Sequence, residues 1–241
     1  KSPEKVAPKE ELPKETPEKE VKPEAASAPP KKKKLNRADY TFKDKKGETL
    51  VKKTGDINGL QFMIKDLDDC TVVLLDHIAQ LTIDRCKNCR FFIGPIKASI
   101  FVRDCSDCDV VVSCGQFRCR DLNNSRLYLY TPNDPVIESS SGVAFAPYSF
   151  KYPHLRQHAE AAELIGEYKD EEGNMQKRVN KWNCVFDFTK RDDGQLNYSI
   201  QPQSDFEVVT HKDLGLPESQ LQETGDDFLY ELPVEYGGSL T

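Results

Sequence analysis

A mainly β chain wound as a parallel β-helix is what this sequence predicts, from three observations. One short unit recurs between Asp66 and Ser141: Asp69-Cys70-Thr71-Val72-Val73-Leu74, Asn88-Cys89-Arg90-Phe91-Phe92-Ile93, Asp107-Cys108-Asp109-Val110-Val111-Val112 and Asn124-Ser125-Arg126-Leu127-Tyr128-Leu129. Its second residues, Cys70, Cys89, Cys108 and Ser125, follow one another at 19, 19 and 17 residues. A further column keeps the same register, with Ile64, Ile83, Val102 and Cys119 each three residues before Leu67, Cys86, Cys105 and Leu122. The third observation is alternation of β-branched residues within each unit. A repeat of about 20 residues with period-two alternation is the mark of a solenoid whose rungs stack edge to edge.

At 241 residues the chain can bury one good core and carry extensions. Residues 1–34 hold seven of the fifteen prolines, ten Lys and seven Glu, and Leu12 is their only Ile, Leu, Phe, Trp or Tyr. Such a segment cannot bury enough surface to fold alone and reads as an extended, solvated tail. It ends in Pro29-Pro30-Lys31-Lys32-Lys33-Lys34, which also suits a contact arm for an acidic surface.

Residues 35–200 form the β-helix domain. It opens with strands over Asp39-Tyr40-Thr41-Phe42 and Glu48-Thr49-Leu50-Val51, a turn from Gly55 to Gly59, and the alternating Leu60-Gln61-Phe62-Met63-Ile64. Rungs continue to about Phe150. The period then changes: Leu155, His158, Ala159, Ala162 and Ile165 fall at helical spacing between Pro153 and Gly166, predicting a capping helix over about 153–166. Residues 169–178 read as a polar loop, and Trp182 to Phe188 and Leu196 to Ile200 as strands, with Trp182 an anchor under the last rungs. Residues 201–241 read as an acidic, irregular extension with short structure around Phe228-Leu229-Tyr230.

Thirty-four basic against forty acidic residues give a net charge of −6, which argues against nucleic acid as a partner. No run approaches the 18 or so apolar residues of a membrane-spanning helix. Because the sequence opens at Lys1 rather than Met, membrane association through a lipidated N-terminus stays open.

Eight cysteines without a signal peptide in view point to a reducing compartment. Cys86-x-x-Cys89 and Cys105-x-x-Cys108 match a zinc-ribbon spacing, but the 19-residue rung explains the same interval. Their columns continue through Leu67 and Leu122, and through Cys70 and Ser125, which suits packed thiols rather than a metal site. His154 and His158 lie four apart, yet without further ligands nearby they read as capping or core residues. No metal is expected. Nor is there a phosphate-binding Gly-x-x-x-x-Gly-Lys-Ser/Thr loop or a nucleophile in a recognisable motif with His77, His154, His158 or His211. An autonomous hydrolase is therefore not expected.

The register points instead to an outward row. With Phe117 continuing the inward column of Leu81 and Ile100, alternation turns Gln116, Arg118 and Arg120 outward. Phe101 occupies the same outward column one rung earlier, and an inward Ile137 is expected to set Glu138 beside Arg118. An Arg over a Glu on a solvated sheet is by itself an ordinary pair, worth under about 1 kcal/mol. The functional alternative is an arginine finger, a guanidinium that neutralises charge in another protein's phosphoryl-transfer site.

Gln116-Phe117-Arg118-Cys119-Arg120-Asp121 followed by Pro135-Val136-Ile137-Glu138-Ser139-Ser140-Ser141 resembles the family of the X-linked retinitis pigmentosa protein and tubulin-folding cofactor C. The likeness extends through Asp39 to Phe42, Leu75-Asp76-His77, Ile93-Gly94-Pro95-Ile96-Lys97 and residues 182–189, so it covers roughly 39–200. The resemblance implies a right-handed β-helix that activates GTP hydrolysis by an Arf-like small GTPase or by tubulin. It implies Arg118 as the finger, Gln116 and Glu138 as its supports, and Phe188 in a partner-contacting position, to which the outward Phe101 and Arg120 add. GTP and Mg²⁺ would sit on the partner, so no cofactor is expected here. Gly115 stands where relatives tend to carry a second Gln, and Arg120 where cofactor C tends to carry His. The second departure favours the retinal branch, which implies ciliary delivery of lipid-modified cargo and a place in the cilium or flagellum and the cytoplasm. A different class of function is a structural module on axonemal microtubules or a ciliary complex, with the tails as tethers and the Arg site idle.

Overall fold

The computed structural model of the chain describes residues 36–170, 172–201 and 209–216. The Lys/Pro/Glu tail and the Phe228-Leu229-Tyr230 stretch lie outside the described residues. Within them the chain winds as the predicted parallel β-helix.

The first turns are β1 (Thr41–Lys46), β2 (Thr49–Lys52), β3 (Phe62–Asp68), β4 (Thr71–Leu74) and β5 (Leu81–Asp84). Two long strands follow, β6 (Arg90–Ser106) and β7 (Asp109–Asn123), and the stack closes with β8 (Arg126–Tyr130), β9 (Val136–Glu138) and β10 (Val143–Pro147). Asp39 and Tyr40, expected in the first strand, form a short 3-10 turn capped by Asn36 instead. Every pairing in this stack is parallel, and β6 and β7 run round two sides of the coil, with register shifts between Ile93 and Ser99 where they turn. One wall is β1-β3-β5-β6-β7-β9 and the other β2-β4-β6-β7-β8-β10.

The inward columns are those the repeat predicts. Phe62, Leu81, Ile100 and Phe117 stack in register, as do Ile64, Ile83, Val102, Cys119 and Ile137, and all are buried. Between the walls each rung bends through two left-handed residues three apart: Asp66 and Asp69, Arg85 and Asn88, Asp104 and Asp107, Asp121 and Asn124, Ser139 and Gly142. Asp and Asn accept that conformation more readily than other side chains.

Small donor–acceptor side chains fill these corners. Cys70, Cys89, Cys108 and Ser125 each donate to the carbonyl two residues earlier, at 3.3, 3.1, 3.2 and 2.8 Å. Backbone N–H groups of neighbouring rungs donate to them in turn, Cys70 N–H to Cys89 Sγ and Cys108 N–H to Ser125 Oγ. Burial pushes the Cys89 thiol up to about 11 and Cys108 to about 12, so both are protonated donors at neutral pH.

Beyond the rungs come β11 (Phe150–Lys151), the helix α1 (Leu155–Ala161), an antiparallel hairpin of β12 (Glu167–Lys169) and β13 (Met175–Lys177), and the strands β14 (Phe186–Asp187), β15 (Tyr198–Ile200) and β16 (Val209–Thr210). The hairpin replaces the expected polar loop. Helix α1 is shorter than its expected span because Glu163 turns left-handed, so Leu164 rather than Ile165 faces inward. It packs against β6, a middle strand, and Tyr130 Oη donates to Leu164 O at 2.9 Å. The last rung edge is covered by β15, which pairs with β10, and by β14, which pairs with β9. Trp182 is 1% exposed in the main core, though only Phe186–Asp187 of its expected strand is extended and paired.

Candidate functional site

Three outward columns run along the β3-β5-β6-β7-β9 wall. The first contains Gln61, Gln80, Ser99 and Gln116; the second Met63, Thr82, Phe101, Arg118, Val136 and Phe186; the third Lys65, Asp84, Arg103, Arg120 and Glu138. Alternation in β7 buries Phe117 and Cys119 and leaves Gln116, Arg118 and Arg120 exposed, as predicted. Phe101 stands in register with Arg118, also as predicted.

The position expected for Glu138 needs correction. Ile137 is buried as expected, but it stacks on Cys119 rather than Phe117, so Glu138 faces Arg120 and Val136 faces Arg118. Glu138 is thus one diagonal step from Arg118, outside direct cross-strand contact.

The three arginines of this wall differ in their bonding. Arg103 donates to Asp84 at 2.7 Å and lies 5.9 Å from the Phe101 ring. Arg120 donates to Asp121 at 3.0 Å, and that bond, with Glu138 adding its charge, raises its pKa. Arg118 makes no hydrogen bond or ion pair among the described residues. An exposed guanidinium between Phe101 and Val136 keeps all five of its N–H donors open.

Apolar surface surrounds it. Phe186 and Phe188 are 50% and 66% exposed and meet edge to face at 4.9 Å. Their segment is held firmly: Phe188 N–H donates to Ile137 O at 2.9 Å, Ser139 N–H to Thr189 Oγ1 at 2.8 Å, and Asn197 Nδ2 to Asp187 Oδ2 at 2.8 Å. Met63, 42% exposed, lies further along the Arg118 column. Phe188, expected from the resemblance to contact a partner, is exposed; Phe186 and Met63 were not singled out in the sequence, though the outward phase of their strands marks them as exposed.

Gln116 is set by its neighbour. The Gly115 carbonyl accepts from Asn133 Nδ2 at 2.8 Å and Thr131 Oγ1 at 3.3 Å. A Cβ on Gly115 would lie 2.6 Å from Lys97 O and 2.7 Å from Ala98 O, so the close approach of two rungs requires glycine. Among the described residues no group of three or more His, Cys, Asp or Glu side chains is arranged to hold a metal.

Fold and site together define a stacked β-solenoid protein that presents an open arginine on a partly aromatic face. The family model described as tubulin binding cofactor C matches residues 59–188, a span containing Phe101, Gln116, Arg118, Arg120, Glu138 and Phe188. The chain belongs to the tubulin binding cofactor C family. It is 38% identical over 192 residues to "Protein XRP2" of Danio rerio, covering 80% of this chain and 48% of that protein. To "Tubulin-specific chaperone C" of Homo sapiens it is 29% identical over 166 residues, 68% of this chain and 45% of the other. The chain thus spans about half the length of these curated relatives. A solved structure of tubulin binding cofactor C from Leishmania major aligns with a TM-score of 0.42 at 18% identity, over 70% of this chain and 93% of that one.

Proposed function

We propose that the chain is a GTPase activator that lends Arg118 to the nucleotide site of an Arf-like small GTPase, acting in ciliary or flagellar trafficking of lipidated cargo. The observation that carries this reading is the unpaired Arg118 on a wall whose other arginines, Arg103 and Arg120, are held by carboxylates. In the transition state of phosphoryl transfer charge spreads over the phosphoryl oxygens, and a planar guanidinium can contact two of them at once. Ion-pairing to its own carboxylate would blunt that capacity.

Gln116 is placed to support the arginine or the attacking water, while Glu138 acts from one step away. Phe101, Phe186 and Phe188 supply apolar contact, and Arg120 the rim. GTP and Mg²⁺ belong to the partner, so the chain is a regulator and not a hydrolase in its own right. Tubulin is the other GTP-binding candidate, because a relative is named for it.

Single-turnover hydrolysis by GTP-loaded Arf-like GTPases, and by tubulin, is the test. The wild-type chain should accelerate one of them, and Arg118→Ala should lower the stimulated rate by about a thousandfold or more while binding survives. Acceleration that persists in Arg118→Ala would overturn the reading. No acceleration of any GTPase, with retention on isolated axonemes, would establish the structural-module alternative.

A further inference from the structure

Beside Gln116 on the same side of the molecule lies a pocket of about 320 Å³, lined by Lys97, Ser99, Gln116, Asn133, Glu163 and Arg178. We propose that this pocket receives an acidic side chain of the same nucleotide-bound partner, and that Arg178 is the residue that fixes its docking register. The inference rests on the GTPase-activator reading and adds a specificity site to it.

Charge and geometry carry the assignment. Lys97 and Glu163 pair at 2.5 Å and so largely neutralise one another. The Glu163 carboxylate also feels the charge of Arg178, so the pocket sets two cations, Lys97 and Arg178, against one carboxylate. The Arg178 guanidinium lies 5.0 Å from the Tyr168 ring and makes no hydrogen bond or ion pair among the described residues. A guanidinium resting on an aromatic face keeps its N–H edge free for the two oxygens of a carboxylate. Ser99, Gln116 and Asn133 add neutral polar groups, and the close packing of Gly115 against the Lys97 and Ala98 carbonyls fixes the floor between them. The pocket is wide enough to admit an Asp or Glu side chain together with bridging waters. Gln116 belongs both to this pocket and to the outward face of β7 that carries Arg118, so a partner anchored here would have its nucleotide near Arg118.

The test uses the full chain and the GTPase it stimulates. The stimulated single-turnover rate is measured against concentration of the chain for wild type, Arg178→Glu, Arg178→Lys and Arg118→Ala. Arg178→Glu should raise the half-saturating concentration by about tenfold, as expected for a lost charge pair with a new repulsion, and leave the saturating rate within about twofold. Arg178→Lys should recover part of that loss, and added salt should shrink the gap. Circular dichroism confirms that the hairpin variants fold. An unchanged half-saturating concentration in Arg178→Glu, with Arg118→Ala still inactive, overturns the pocket assignment alone. A fall in the saturating rate instead overturns it too, since Arg178 would then act on the reaction. A wild-type chain that neither accelerates nor binds any GTP-loaded candidate overturns both readings together.

Discussion

Asp76 and His158 show what a single buried polar residue does here. Asp76 Oδ2 accepts the N–H groups of Gly55, Ile57 and Asn58 at 3.0, 2.9 and 2.7 Å, and Oδ1 accepts from His77 N–H at 2.9 Å. His158 lies against that carboxylate at 3.7 Å, bonds Tyr152 Oη through Nδ1 at 3.0 Å, and has the His77 and His154 rings about it. Burial pushes its pKa down to about 4, against the opposing pull of Asp76. As pH falls below about 6.5 the unfolded chain takes up this proton first, so stability present above that value is lost progressively down to about pH 4. The loss should be on the order of 3 kcal/mol, and urea midpoints taken between pH 7.5 and 4.5 should fall less steeply for His158→Gln than for wild type. Gly115→Ala should cost about 1–3 kcal/mol, because the Lys97 and Ala98 carbonyls that its Cβ meets belong to packed backbone. It should also weaken GTPase stimulation by displacing Gln116, and both effects can be read from one purified variant. The outward phase of Arg118, Gln116 and Phe101 was legible in the sequence because alternation fixes it within each strand, β6 for Phe101 and β7 for the other two. Glu138 was not, because its register depends on the turn between Tyr130 and Val136. Periodicity does not set the length of that turn. The Cys108 to Ser125 interval of 17 shows that the preceding rung is already shorter than 19, so the period could not be extrapolated through that turn.

At the scale of the rung, the corner columns explain an exchange that hydrophobicity alone leaves obscure. Ser125 can take the place that Cys70, Cys89 and Cys108 hold because either side chain can donate to the carbonyl two residues back and accept an N–H from the adjacent rung. A side chain of similar size without that chemistry would leave a buried N–H unpaired. Ser125→Cys should therefore change stability by less than about 1 kcal/mol, whereas Ser125→Ala, which strands the Cys108 N–H, should cost about 1–3 kcal/mol. Chemical denaturation of the two variants separates hydrogen bonding from packing, since Ala and Cys both fit. The columns were readable from the 19-residue spacing. Of the left-handed pairs that create the corners, Asp66 and Asp69, Asp104 and Asp107, and Asp121 and Asn124 are Asp or Asn at both positions, a turn signal rather than a hydrophobic one. Helix α1 was foreseen in type but not in place: its period gives an apolar face, and periodicity cannot say which surface of the solenoid that face will cover.

Across the whole molecule, the two walls differ in what lies outside them. On the β4-β6-β7-β8 wall the outward Val73, Phe92 and Val111 are buried under Phe150, Tyr152 and Leu155, with Val209, Leu214 and Leu216 packed alongside. Strands covered on both faces read as continuous apolar runs, and Val72-Val73-Leu74-Leu75 and Val110-Val111-Val112 do so. On the opposite wall Phe62-Met63-Ile64, Leu81-Thr82-Ile83 and Phe117-Arg118-Cys119 alternate, because no described residue buries their outer face. Among the described residues, residues 150–155 and 209–216 cover one wall, and the outward side chains of the Arg118 wall stay exposed or half-exposed. Two substitutions of like chemistry should then behave oppositely. Phe92→Ser, on the covered wall and 2% exposed, should cost about 3–5 kcal/mol, as loss of a buried aromatic does, and should lower the urea midpoint steeply. Phe188→Ser, at 66% exposure, should move that midpoint little. If the bare wall is where a nucleotide-bound partner docks, Phe188→Ser should nonetheless weaken binding of that partner by about tenfold or more, as truncation of an interface aromatic does. Equal stability losses in the two variants would mean that both walls are interior to the folded chain, and the division of labour between them would be wrong.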